Sequence, residues 1–66
     1  MTVLVNGEPR DVVSARDVAA LIEEFRLPAA TLLIEHNGTA LIRSEWSATL
    51  LADGDHLEFL RVTAGG

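Results

Sequence analysis

Two Asn-Gly dipeptides, Asn6-Gly7 and Asn37-Gly38, constrain this chain more than any other feature. Both residue types tolerate positive φ, which a tight two-residue hairpin turn requires. Thr2-Val3-Leu4-Val5 precedes the first pair and Glu8-Pro9-Arg10-Asp11-Val12-Val13 follows it. Thr31-Leu32-Leu33-Ile34-Glu35-His36 precedes the second, and Thr39-Ala40-Leu41-Ile42 follows. These runs predict two hairpins. Pro9 cannot donate to a ladder, which places its strand at an edge. Between the hairpins, Val18, Leu21, Ile22 and Phe25 fall at i, i+3, i+4 and i+7. That spacing predicts a helix of about three turns with one apolar stripe. Ser14 is the expected cap, answered by Asp17, and Leu27-Pro28 is the expected stop.

Residues 43–47 are too few for a full helix and predict one helical turn. Asp53-Gly54-Asp55 predicts a turn into a last strand that begins at His56. On that strand Leu57 and Phe59 should face the helix, while His56, Glu58 and Leu60 face away. The fold class expected is α+β: a mixed sheet of roughly four to five strands with one main helix on one face. The first and last strands are the most apolar and belong together at its centre. At 66 residues the chain reads as a single domain, residues 1–66, whose residues 63–66 form a flexible tail.

Composition narrows the function. A core this small supplies only about 3–5 kcal/mol, and small domains often add disulfides or metals. This chain has no cysteine, so its 48% hydrophobic residues must carry the stability. His36 and His56 are the remaining soft ligands; they are distant in sequence and are expected to be solvated. Asp53 and Asp55 lack the further acids of a calcium loop. No Ser or Asp stands at a catalytic spacing from either histidine. Neither a metal site nor a set of catalytic side chains is therefore expected. The net charge of −5, ten acids against five bases, excludes a nucleic-acid binder. It suits a partner with a basic docking surface. All five bases are Arg, so no side-chain amine is available to capture an activated carboxyl. No apolar run approaches the ~20 residues of a membrane span, and Met1-Thr2-Val3-Leu4-Val5 lacks a signal peptide's basic start. The expectation is a cytoplasmic protein that binds no membrane.

Other side chains have plain structural readings. Trp46 is expected in the core or at its rim. Arg43 and Glu45 could make an exposed ion pair of little worth. Glu23 and Glu24 are expected on a solvated helix face. The sequence closes on Arg61-Val62-Thr63-Ala64-Gly65-Gly66. Two glycines add no packing area and are costly to order. Such an end suits entry into a narrow channel, with Ala64 and Gly65 slim enough to thread. The α-carboxylate of Gly66 is then the candidate reactive group. Leu60, Arg61 and Val62, beside the tail, are the candidate docking residues. Leu60, with Val62 and Leu4, would leave apolar surface on the helix-free face.

Several stretches carry a family likeness. They are Val3-Leu4-Val5-Asn6-Gly7-Glu8, Ile34-Glu35-His36-Asn37-Gly38, Ile42-Arg43-Ser44-Glu45-Trp46, Leu51-Ala52-Asp53-Gly54-Asp55-His56-Leu57-Glu58-Phe59 and Ala64-Gly65-Gly66. Together they resemble the ThiS family, the sulfur carriers of thiamine thiazole formation, within the β-grasp, ubiquitin-like group. The resemblance spans the whole chain. It implies a carrier rather than an enzyme, with no cofactor of its own. An E1-like adenylyltransferase would spend ATP to adenylate Gly66. A persulfide sulfur donor would convert the adenylate to a thiocarboxylate, and thiazole synthase would accept the sulfur. The alternatives are a carrier of another pathway (the small subunit of molybdopterin synthase, or cysteine synthesis), a ubiquitin-like modifier, or a plain interaction module.

Overall fold

The computed structural model describes residues 1–62. Strand β1 (Thr2–Val5) turns at Asn6-Gly7 into β2 (Glu8–Asp11). Helix α1 (Val18–Glu24) follows, then a 3-10 turn (Ala29–Thr31) and β3 (Leu32–His36). β3 turns at Asn37-Gly38 into β4 (Thr39–Leu41). A 3-10 segment (Arg43–Ala48) and a loop lead to β5 (His56–Arg61). The sheet order is β2-β1-β5-β3-β4. β5 lies in the middle, parallel to β1 and antiparallel to β3. This is the mixed sheet expected, with α1 on one face and Pro9 on an edge strand. Residues 63–66, expected as the tail, lie outside the described residues.

The core forms where the two periodicities meet. Val18, Leu21 and Ile22 of α1 pack with Val3, Ile34, Leu57 and Phe59 of the sheet. Phe25, the fourth member of the stripe, is half-buried against this cluster. Trp46 is buried with them, and the Arg43 guanidinium lies 5.6 Å from its ring. The two Asn-Gly turns do more than reverse the chain. Asn6 and Asn37 both sit at φ 50°, followed by glycines at 84° and 85°. The Asn6 amide accepts the Phe59 N–H at 2.8 Å and donates to the Phe59 carbonyl at 3.2 Å. Asn37 accepts the His56 N–H at 2.8 Å. Each Asn thus continues the ladder on one flank of β5 where its own strand has ended.

Several local expectations are corrected. The cap of α1 is Asp17, not Ser14: Asp17 has extended backbone and accepts the Ala20 N–H at 2.8 Å. The helix has seven residues, nearer two turns than three. It stops before Pro28 because Arg26 turns left-handed at φ 55° and the Leu27 N–H reaches back to the Ile22 carbonyl. Val12 and Val13 lie beyond β2, and Ile42 lies beyond β4. Thr31 belongs to the 3-10 turn before β3, not to the strand. The expected Arg43–Glu45 pair gives way to Arg43 on Trp46 and to Glu45 accepting the Ile42 N–H at 2.8 Å.

Glu24 is the largest of these corrections. It does not simply face solvent. Its carboxylate accepts the N–H groups of Val13, Ser14 and Ala15 at 2.8, 3.0 and 2.9 Å. Three N–H groups with no strand or helix partner converge on one charge. These bonds, the one from Val13 foremost, lower its pKa from 4.5 to about 2. Because the folded value is the depressed one, this stability is fully present above pH 4.5 and is lost as pH falls toward 2. Glu24→Gln should therefore lower the melting temperature at pH 7 and flatten its fall in acid. Melting curves from pH 7 to pH 2 test this, and an acid limb unchanged by the substitution would refute it.

Candidate functional site

The alternation of β5 divides its side chains between two environments. Leu57 and Phe59 face α1 and are buried. Leu60 faces the helix-free side, directly opposite Leu33 of β3, and the two are 56% and 55% exposed. Val62 continues the pairing, its N–H donating to the Thr31 carbonyl at 2.7 Å, and is 48% exposed. Ile42, just past β4, is also exposed, at 67%. An apolar strip therefore runs along the open face to the last described residue. Leu4, paired with His56 across the β1–β5 ladder, lies farther back on the same face and is half-buried.

The three candidate docking residues do not lie on one face. Leu60 and Val62 share the open face. Arg61 pairs with buried Leu32 and so leaves the sheet on the other side. Leu33, which is not among the three candidates, is the cross-strand neighbour of Leu60. Its signal was the run Leu32-Leu33-Ile34, because a strand covered on one face cannot bury three successive residues. Ala64, Gly65 and Gly66, the threading and reactive positions, lie outside the described residues, and β5 is the strand that leads to them.

At the opposite end of β5, His36 is not merely solvated. Its Nε2 donates to Asp55 Oδ2 at 2.8 Å. Asp55 also accepts from the Asn37 amide and the Ala52 N–H. Burial pushes the Asp55 carboxyl up. The hydrogen bonds from His36, Asn37 and Ala52, with the His36 charge, outweigh burial and hold it below its ordinary value. This cluster ties the β3–β4 turn to the loop before β5, which is a structural role. His56 is exposed, as expected. Asp53 accepts the Thr2 N–H at 2.8 Å within the turn. Among the described residues no group of His, Cys, Asp and Glu could hold a metal ion. Nor is any helix among them long and apolar enough to cross a membrane.

Comparison with known proteins agrees with this geometry. The model of the ThiS family matches residues 3–66. The crystal structure of the thiamine biosynthesis protein ThiS from Geobacter metallireducens is 36% identical and superposes with a TM-score of 0.85, covering 100% of both chains. The solution structure of a thiamine biosynthesis protein from the same organism gives a TM-score of 0.80 at 36% identity, covering 100% of this chain and 88% of that one. A thiazole synthase from Paramagnetospirillum magneticum is 29% identical across the whole chain, which spans only 20% of that relative's length.

Proposed function

The chain belongs to the ThiS family of small sulfur carriers of thiamine biosynthesis, which are not enzymes, and from that membership we propose that Gly66 is the carrying residue. A carboxylate is a poor electrophile. An E1-like adenylyltransferase joins the Gly66 carboxylate to the α-phosphate of ATP and releases pyrophosphate. The terminal sulfur of a persulfide donor attacks the acyl carbon and expels AMP. A second thiol then cleaves the S–S bond and leaves a thiocarboxylate, a softer and stronger nucleophile than the carboxylate it replaces. Thiazole synthase in the cytoplasm accepts this sulfur, a role suggested by the relative of that name. ATP is consumed by the partner, so the carrier needs no cofactor.

The position of β5 supports the proposal. It is the middle strand of the sheet, it leads directly to residues 63–66, and an apolar strip flanks its outgoing end. A rigid body thus carries the reactive end, with a surface beside it that a partner can cover. Incubation with the adenylyltransferase, ATP and a persulfide donor should exchange one oxygen for sulfur at Gly66, read by intact mass and fragmentation. No exchange, or exchange at another residue, would sink the proposal.

A further inference from the structure

The helix-free face carries a feature that the carrier chemistry leaves unused. Glu35 of β3 stands directly opposite Glu58 of β5. Like charges so placed repel each other. Most acids here have local work: Asp11, Asp17, Glu24, Glu45, Asp53 and Asp55 all accept hydrogen bonds. Glu35 and Glu58 accept none from the described residues. No arginine offsets them. Arg10 lies 5.0 Å from the Phe25 ring and Arg43 lies over Trp46, both on the helix side. Arg61 leaves by the face of Leu32. Arg16 precedes α1 and Arg26 ends it.

The two carboxylates line a hollow of about 140 Å³ whose other walls include Leu33, Ala40 and Leu60. That is room for a few waters of ~30 Å³ each, or for the end of one long side chain. Its lining is mainly apolar, with Glu35 and Glu58 the two charged residues on it. An arginine matches both parts: its planar head offers five donors to two carboxylates, and its stem packs on leucine. Gly66 is the fourth residue beyond Val62, a reach of at most ~14 Å. Any protein that works on Gly66 must therefore come within that reach of Val62, at the outgoing end of β5. A protein that binds ATP phosphates also carries cationic side chains at its site.

We propose that this hollow receives one arginine side chain of the adenylyltransferase that charges Gly66. The inference rests on the carrier function proposed above. The test measures affinity for the adenylyltransferase without ATP, as a function of salt, for the native carrier and for the doubly substituted Glu35→Gln, Glu58→Gln carrier. The double variant should bind at least about tenfold more weakly and with a shallower salt dependence. Its melting temperature should be unchanged or raised, because a repulsion is removed. Binding within about twofold of the native affinity would overturn the inference, as would weaker binding accompanied by a fall in melting temperature. If the native carrier binds and is charged but the Gln pair changes nothing, only this inference falls. If the native carrier neither binds nor is charged, the carrier function falls with it.

Discussion

Two alanines appended after Gly66 should abolish formation of the thiocarboxylate while leaving the melting temperature unchanged. The expected loss is complete, because the reaction needs a terminal carboxylate and the extension converts that carbon into a peptide carbonyl. Adenylation at the new terminus would have to place alanine side chains where the native chain has only backbone. The core lies within residues 3–59 and does not feel the change. Intact mass after incubation with adenylyltransferase, ATP and persulfide donor supplies both readouts: whether the extension is retained, and whether sulfur has been added. A retained extension with native sulfur loading would show that Gly66 is not the carrying residue.

The largest expected loss of stability is at Leu57. It is 1% exposed and sits on the central strand, between Val5 of β1 and His36 of β3 in register. Truncating such a leucine to alanine costs about 2–5 kcal/mol, because the cavity collapses only in part. The whole domain has about 3–5 kcal/mol to lose. Leu57→Ala should therefore be largely unfolded at 25 °C, whereas Leu57→Met, which nearly conserves volume, should cost less than about 1.5 kcal/mol. Urea unfolding followed by circular dichroism compares the two. A Leu57→Ala midpoint equal to that of the native protein would mean that the residue is not where the core is densest.

Both central features, the two hairpins and the single amphipathic helix, were legible because each rests on a short-range signal. Asn-Gly specifies a turn within two residues, and the stripe of Val18, Leu21 and Ile22 specifies a buried face within two turns. The central place of β5 beside β1 also followed, from the apolar content of the two strands. What escaped was long-range side-chain bonding. Glu24 lies on the helix yet serves a loop 9 to 11 residues earlier. His36 meets an aspartate 19 residues away. Asn6 reaches Phe59 across 53 residues. No local spacing encodes such meetings, which exist only once the sheet order is set. The three candidate docking residues divide between the two faces for a related reason: alternation along β5 is visible in the sequence, but the register that brings Leu33 to Leu60 is not.

The amides of Asn6 and Asn37 have a mechanical consequence. A partner that grips residues 63–66 and draws them inward pulls β5 along its own axis. The ladders with β1 and β3 run beside that axis, so their hydrogen bonds are loaded together in shear rather than peeled one at a time. The two asparagines add fastenings on either flank, at Phe59 and His56. The carrier can thus be towed by its end while its body stays rigid.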